Sequence, residues 1–390
     1  MVTWKLWRSL LLCLVLSAPG VALAQANPRE PLAFTEADPL WPDRPRELNR
    51  RERRQLQTAL GQLDQQAREL LRQGNTEAAF RVWYRVLRLS QALERSQEIQ
   101  ALGRIGEIAW QENQTGPVNA IGDRLQAIQR TPNLDTETLE LLGNAYQKLR
   151  SPALALPVYQ ELLARSRPDP NRTEANLQII AQLHMAWFDY AAAAPVYQEL
   201  LELVTRLNDV ARQITYTEEL AYIYDRANQP VQAIATRQRL LDYYQNKPEL
   251  RVKLPAVHIA IGTSHELLRK PQEASNSYQT AYNLAIGDRQ YAYAQEALQK
   301  LARLYQAYNQ PNVAIQVYQT LIRIHQLAYD TYNSMDTYDQ MGQIHLQQRN
   351  YPAALQMFEQ GLVLARNLRY QEAYFQAQVE RVRALIPAAR

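Results

Sequence analysis

The chain repeats itself about every forty residues. An alanine followed four positions later by an aromatic ring recurs along the 390 residues: Ala79 with Trp83, Ala155 with Tyr159, Ala193 with Tyr197, Ala274 with Tyr278, Ala314 with Tyr318 and Ala354 with Phe358. Ala120 and Ala233 keep the spacing but are followed by Arg124 and Arg237. These eight alanines stand 35 to 41 residues apart. Self-similarity at such a period indicates stacked structural repeats.

A second anchor lies twelve positions before each alanine. It is a small residue in seven of the eight copies, with Ile108 the exception. A tyrosine or histidine follows three positions later in the last six copies, and a proline often stands three residues before the alanine. Proline is tolerated in the first turn of a helix, and the chain from Arg46 onward is rich in helix-forming residues. Each copy is therefore predicted to be helix, short turn, helix, with rings packed beside the small residues.

This pattern resembles the tetratricopeptide repeat family. The family's small–Tyr–Ala–aromatic signature is matched by Gly143, Tyr146, Ala155 and Tyr159. The resemblance covers about residues 46–366, and the period near 40 rather than 34 is that of the family's long-repeat branch. It implies an all-α, right-handed superhelical solenoid of about eight helix-turn-helix repeats. Residues 367–390 are predicted to form a capping helix and tail over the apolar edge of the last repeat.

Residues 1–24 have the pattern of a secretory signal peptide. Lys5 and Arg8 precede a short apolar stretch, and Ala22-Leu23-Ala24 offers small residues for cleavage. The single cysteine is Cys13, so cleavage leaves a chain without thiols, which suits an oxidising compartment. An uncleaved membrane anchor is the alternative. We predict an exported protein, in the periplasm or an equivalent lumenal space.

Residues 25–45 differ from the rest of the chain in composition because prolines recur throughout them. Such spacing prevents a helix and favours an extended linker. The linker also carries Phe34, Leu40 and Trp41. Either these side chains hold the linker onto the first helices, or they form a docking peptide or a plug for the protein's own groove.

An arginine cluster follows the linker. Its members are Arg46, Arg50, Arg51, Arg53 and Arg54. One interpretation is the solvated start of a helix. The other is a patch for anionic lipid or an acidic partner, which would bring the protein near a membrane surface.

The composition and motifs argue against catalysis and against nucleic-acid binding. With 43 basic and 39 acidic residues, the chain is too balanced to need nucleic acid as a counter-charge. It has no glycine-rich phosphate loop and no paired-histidine zinc motif. His184, His265 and His345 occupy a repeat position that elsewhere holds tyrosine, which predicts packing, and His325 stands alone. We therefore predict a protein that is not an enzyme and has no cofactor.

The family resemblance places ligand-facing side chains on the first helix of each repeat, which lines the concave face. The positions so assigned are Glu137, Glu140, Asn144, Gln182, Glu218, Tyr222, Asp225, Glu266, Gln299, Arg303, Asp336, Asp339 and Gln343. Glu296 is a further inward acid, and acids predominate in the middle and at the C-terminal end. Such a groove favours a cationic peptide or a metal ion. The alternative is that these are ordinary solvated helix charges.

Two pairs of these acids have the spacing of neighbours on one helix face. Glu137 with Glu140, and Asp336 with Asp339, are each three residues apart. Each pair could hold a divalent ion such as Mn or Ca with help from water. Stabilisation of a helix start explains the same spacing.

These observations together predict a non-enzymatic scaffold or assembly factor that binds a polypeptide partner in an acidic concave groove. The signal peptide, the length and the repeat number are similar to those of cyanobacterial periplasmic tetratricopeptide factors, which implies a role in photosystem II assembly. An accessory subunit that positions a cell-wall or other periplasmic enzyme is the alternative.

Overall fold

A computed structural model describes residues 32–33, 38–40 and 48–386. The predicted signal peptide lies outside the described residues. So do most of the linker, including Phe34 and Trp41, and the first member of the arginine cluster, Arg46.

The part of the chain from residue 48 to residue 386 contains seventeen α-helices, one 3-10 helix and no strand. Sixteen of the helices form eight consecutive pairs: α1 (Arg50–Arg72) with α2 (Thr76–Ser90), α3 (Arg95–Gln111) with α4 (Thr115–Gln129), α5 (Thr136–Lys148) with α6 (Pro152–Ser166), α7 (Pro170–Ala186) with α8 (Tyr190–Arg206), α9 (Val210–Arg226) with α10 (Pro230–Gln245), α11 (Leu254–Leu267) with α12 (Pro271–Gly287), α13 (Tyr291–Ala307) with α14 (Pro311–Leu327), and α15 (Thr331–Gln347) with α16 (Tyr351–Leu368). The 3-10 helix (Pro248–Lys253) joins α10 to α11, and α17 (Glu372–Leu385) ends the series. The predicted all-α fold of helix-turn-helix repeats is confirmed.

The chain divides into two compact units. The N-terminal unit is Met1–Leu162 and the C-terminal unit is Leu163–Arg390, so the boundary falls inside α6. In the C-terminal unit each helix from α7 to α17 packs against the next one along the chain.

The repeat alanines lie in the second helix of every pair, and seven of the eight are fully buried. The rings that follow them press on the small residues of the first helix. A methyl group placed on Gly143 would come within 2.8 Å of the Tyr159 ring, and one on Gly262 within 2.5 Å of the Tyr278 ring. The predicted close approach of the two helices at these small residues is confirmed.

Three residues join the two helices of each repeat, and the middle one always has a left-handed backbone conformation. These middle residues are Gly74, Asn113, Arg150, Phe188, Asn228, Arg269, Asn309 and Arg349. The N–H of the third residue bonds back to a carbonyl in the last helical turn, as from Gln114 to Ala109 at 2.8 Å. This is the Schellman arrangement, which satisfies carbonyls at a helix end and turns the chain back antiparallel.

Because neighbouring helices alternate in direction, the two kinds of connection lie at opposite edges of a unit. We call the edge formed by the turns within repeats the hairpin edge, and the edge formed by the connections between repeats the junction edge. At the end of the series, α17 buries Phe375, Val379 and Val382 in a cluster with Phe358 and Ala365 of α16. Among the helices in the described part of the chain, none combines the length and the hydropathy of a membrane-spanning segment.

Candidate functional site

The thirteen predicted groove residues all lie on the first helices of repeats, from α5 to α15. Glu218, Glu266, Asp339 and Gln343 are half-buried and the other nine are exposed. Glu137, Glu140 and Asn144 belong to the N-terminal unit, and the other ten belong to the C-terminal unit. All thirteen side chains therefore reach the surface, but they are not equally available to a ligand.

Two of the predicted acids are held by partners within their own repeat. Asp225 accepts hydrogen bonds from the Arg237 guanidinium, and Glu266 accepts one from the Tyr278 hydroxyl. Gln147 also bonds the hydroxyl of Tyr159, but as the donor through Nε2. In each case the partner stands twelve residues later, at the position four after the repeat alanine. The sequence carries this spacing, which sequence reasoning missed.

Arginine occupies the ring position in two repeats, and in both it finds a carboxylate. Arg237 has only 8% of its side chain exposed and pairs with Asp225. Arg124 donates through Nε to Glu98 at 2.6 Å, and Glu98 is buried. A buried guanidinium needs such a partner, so these departures from the repeat pattern each carry their own compensating acid.

Glu218 is also engaged within the chain. It accepts a hydrogen bond from the Tyr244 hydroxyl and forms an ion pair with Lys253 Nζ at 2.6 Å. Burial raises the pKa of Tyr244, and the adjacent Glu218 carboxylate raises it further. Tyr222, four residues along α9, remains exposed and contacts the Tyr190 ring at a centroid distance of 6.2 Å.

A cavity in the C-terminal unit brings four of the predicted residues together. It encloses about 560 Å³ between α13, α14, α15 and the start of α17. Gln299 and Arg303 line it from α13, while Asp336 and Asp339 line it from α15. We call this space the acidic cavity.

The side chains that line the acidic cavity include more acids than bases. Within the described residues, Glu296 and Asp336 make no hydrogen bond or ion pair, and Arg303 is the only Lys or Arg among the lining residues. Burial raises the pKa of Asp336, as do the negative charges of Asp339 and Asp330. Asp339 accepts a hydrogen bond from the Tyr374 hydroxyl at 2.9 Å. The arrangement favours a cationic group, which would offset this uncompensated charge.

The wall of the acidic cavity includes a buried histidine network. His325 is 4% exposed, and its ring nitrogens lie 3.0 Å from Gln295 Nε2 and 3.1 Å from Thr337 Oγ1. Burial lowers the pKa of His325, although the nearby Asp330 raises it. Sequence reasoning found no partner for His325 because its hydrogen-bond partners are 12 and 30 residues away and follow no repeat spacing.

The proposed metal pairs stay a prediction. Glu137 with Glu140 and Asp336 with Asp339 each provide two carboxylates on one helix. Within the described residues, no group of three or more His, Cys, Asp or Glu side chains is arranged to hold a metal ion.

The described members of the arginine cluster open α1. Arg53 donates to Glu94 at 3.1 Å and to the carbonyl of Leu48 at 3.0 Å. Arg50, Arg51 and Arg54 are exposed. Three cations therefore remain at the surface at the start of this helix.

The described part of the linker lies on α2. Leu32 is buried, and its carbonyl accepts a hydrogen bond from Gln91 Nε2 at 2.9 Å. The Asp38 carboxylate accepts two hydrogen bonds from Arg85, at 2.8 and 3.0 Å. The Arg85 guanidinium holds the pKa of Asp38 below its usual value. These contacts are those expected of a linker held onto the first helices.

No model of a known protein family matches the chain. No curated protein matches it either.

Similar helical structures have been solved. MamA is 17% identical, with a TM-score of 0.36 over 49% of this chain and 96% of its own. Aspartyl phosphate phosphatase F from Bacillus subtilis is 12% identical, with a TM-score of 0.43 over 75% of this chain and 79% of its own. A signal transduction ATPase with a tetratricopeptide repeat sensor, from Pyrococcus horikoshii, is 16% identical, with a TM-score of 0.41 over 84% of this chain and 50% of its own. All three TM-scores are below 0.5, so these are distant likenesses that do not extend to what the proteins bind.

Proposed function

We propose that this chain is a non-enzymatic protein-interaction scaffold that binds a polypeptide through a cationic segment. The observation that carries the proposal is the acidic cavity, where Glu296 and Asp336 have no partner among the described residues. Its other polar lining includes Gln299, Asn333 and Gln340, whose amides can bond a peptide backbone. A lysine or arginine side chain would neutralise the carboxylates while its flanking backbone lies along α13 and α15.

Fluorescent peptides of equal length test this proposal. A lysine- and arginine-rich peptide is expected to bind more tightly than a glutamate-rich one, and the preference should weaken as salt is added. The double substitution Glu296→Gln with Asp336→Asn should weaken the cationic peptide about tenfold, which corresponds to the loss of two partly exposed ion pairs.

The matched control removes the same charge elsewhere in the C-terminal unit. Asp242 and Glu249 are exposed and do not line the acidic cavity, so Asp242→Asn with Glu249→Gln should leave the affinity unchanged. Equal weakening by both double variants would mean that only net charge matters. Absence of any preference for the cationic peptide would contradict the proposal itself.

The cellular setting is the finer part of the proposal. The signal-peptide pattern of residues 1–24 supports export, and the likeness to periplasmic assembly factors suggests photosystem II assembly as the pathway. Affinity capture from periplasmic and membrane extract, with the Glu296→Gln and Asp336→Asn variant as the comparison, tests this. Photosystem subunits retained by the native chain and lost with the variant would support it, and their absence from the captured set would contradict it.

A further inference from the structure

The turn between α7 and α8 carries two aromatic side chains that contribute little to folding. Phe188 has a left-handed backbone (φ 59°) and is 73% exposed, and the adjacent Trp187 is 65% exposed. This conformation has a steric cost for every residue with a Cβ atom, and a bulky apolar residue there is unusual. Glycine, asparagine or arginine holds the same position in the other seven repeats. A strained and exposed ring that packs on so little of its own fold points to a contact outside the chain.

Two further rings lie beside these residues, one of them buried and one exposed. The rings of Phe188 and Tyr190 lie 6.3 Å apart, and those of Tyr190 and Tyr222 lie 6.2 Å apart. The Arg226 guanidinium lies 5.4 Å from the centre of the Tyr190 ring. Tyr190 itself is buried, so we call the exposed side chains of Trp187, Phe188 and Tyr222 the aromatic patch. It lies at the hairpin edge of the C-terminal unit, with a cation beside it.

The hairpin edge of this unit has an excess of positive charge. Arg226, Arg269, Lys270 and Arg349 lie in or next to its turns, and within the described residues none of them forms an ion pair. Leu267, beside Arg269, is also exposed.

Most acids near the hairpin edge are already engaged. Asp225 is held by Arg237 and Glu266 by Tyr278. Asp189 caps α8 by accepting a hydrogen bond from the Ala192 N–H at 3.1 Å, which leaves Glu273 as an exposed acid without a side-chain partner.

The junction edge of the same unit is different. Its connections contain both signs of charge, six bases and five acids, whereas the turns of the hairpin edge contain three bases and one acid, Asp189. The bases of the junction edge are Arg167, Lys247, Arg251, Lys253, Arg289 and Arg369, and its acids are Asp169, Asp209, Glu249, Asp288 and Asp330. The hairpin turns are therefore the more uniformly positive of the two sets of connections, which favours contact of this edge with a negatively charged surface.

We propose that the hairpin edge of the C-terminal unit binds an anionic lipid surface. Trp187 and Phe188 enter the interfacial region, where aromatic rings are favoured, and the four cations face the headgroups. Exposed rings combined with unpaired cations are what reversible attachment to such a surface requires. The acidic cavity plays no part in this contact, so the inference does not depend on the proposed polypeptide ligand.

Co-sedimentation with vesicles tests the proposal. The chain from Gln25 onward retains every described residue and lacks the apolar segment of the predicted signal peptide. It should bind vesicles of mixed phosphatidylcholine and phosphatidylglycerol, and binding to phosphatidylcholine alone should be much weaker. Trp187→Ser with Phe188→Asn should lower the partition coefficient at least about tenfold, because two rings no longer leave water. Arg269→Gln should lower it about fivefold, and only on the anionic vesicles.

The structure provides a control with matched backbone strain. Phe188→Asn should fold normally, because asparagine occupies the same turn position at Asn113, Asn228 and Asn309. Tyr329 also has a left-handed backbone and is 94% exposed, but it lies at the junction edge. Tyr329→Asn should therefore leave vesicle binding unchanged, and equal loss with this variant would overturn the assignment to the hairpin edge.

Three further outcomes would contradict the proposal. The first is absence of binding to anionic vesicles at low salt. The second is loss of binding when Arg50, Arg51 and Arg54 are changed to Gln, combined with full binding by the Trp187→Ser and Phe188→Asn variant. This result would assign lipid contact to the arginine cluster. The third is a change of oligomeric state by the aromatic variant in sedimentation velocity with no change on vesicles, which would identify a second copy of the chain as the occupant.

Discussion

At the scale of single residues, two positions twelve residues apart are in contact in several repeats, and the pair of residues that occupies them differs from one repeat to the next. At two of the positions four after a repeat alanine, Tyr159 and Tyr278, a polar side chain twelve residues earlier bonds the hydroxyl, whereas the residue twelve before Tyr197 is Met185. Where the ring is Phe358, the residue twelve earlier is Leu346, which packs against the same apolar cluster. Pairs of this kind give a partner to polar atoms that the helix contact buries, as a close-packed interior requires.

The Arg237 pair gives the first prediction. Asp225→Asn removes the charge that compensates a nearly buried guanidinium, so the free energy of unfolding should fall by about 1–3 kcal/mol. The double variant Asp225→Gln with Arg237→Tyr recreates the pairing of Gln147 with Tyr159 and should recover most of that loss. Urea unfolding of the three proteins measures this. A double variant less stable than Asp225→Asn would contradict the idea that a Gln–Tyr pair can replace the Asp225–Arg237 pair.

The second prediction concerns the close approach at Gly262. A methyl group there would press on the Tyr278 ring, whose hydroxyl is held by Glu266. Gly262→Ala should therefore destabilise the fold by about 1–3 kcal/mol through overpacking. The control is Gly287→Ala, because nothing lies within 4 Å of the added methyl. That change should be neutral or stabilise the chain by up to about 1 kcal/mol. Thermal or urea unfolding that ranks the two variants in the opposite order would show that the ring moves aside freely.

At the scale of elements, four of the five prolines that predicted a helix start are the first residue of a helix. Pro152, Pro230, Pro271 and Pro311 are the first residues of α6, α10, α12 and α14. Pro117 is instead the third residue of α4, which begins at Thr115. Any position in the first turn lacks an intrahelical partner for its N–H, so proline there is compatible with either start.

The linker supplies the prediction at this scale. Asp38→Ala removes two charge-assisted hydrogen bonds to Arg85 while leaving α2 itself intact. Amide exchange around Leu32 and Asp38 should accelerate about fivefold, since a partly exposed pair of this kind contributes about 1 kcal/mol. Hydrogen exchange followed by mass spectrometry measures this exchange rate directly. Arg81→Ala, which breaks the α2 ion pair with Glu77, should leave exchange in the linker unchanged. Unaltered exchange in Asp38→Ala would mean that Leu32 alone holds the segment.

At the scale of the whole molecule, four histidines make stability depend on pH. Burial lowers the pKa of His258, His265, His325 and His345 below the usual 6.5. The unfolded chain therefore binds more protons than the folded chain once the pH falls below about 7. The free energy of unfolding should be highest above that pH and should decrease as the pH falls through about 6.5.

Urea unfolding at about pH 7.5 and about pH 5.5 measures the difference. His325→Gln, which keeps a hydrogen-bonding side chain but does not titrate, should show a smaller decrease than the native chain. An equal decrease in both proteins would place the effect on the other three histidines. Stability that rises on acidification would contradict the direction of these shifts.

The repeats can be predicted from the order of the amino acids alone. The repeat pattern, with its small residues and its rings, reflects which side chains can pack at a single helix–helix contact. It recurs along the chain because each unit packs in nearly the same way on the next. It predicted eight helix pairs and placed all thirteen candidate site residues on first helices. It did not predict which of those residues have partners within the chain.

Which side chains are available for binding becomes visible in the folded chain. Asp225, Glu218 and Asp336 look alike in sequence, yet the first is bound by Arg237, the second is shared by Tyr244 and Lys253, and the third has no partner in the described part of the chain. The structure also brings His325 together with Gln295 and Thr337, and Phe188 together with Tyr190 and Tyr222. The packing pattern recurs in every repeat, whereas charge compensation depends on which side chains, within one repeat or from neighbouring ones, come within a few ångströms of one another. That proximity is a property of the folded chain.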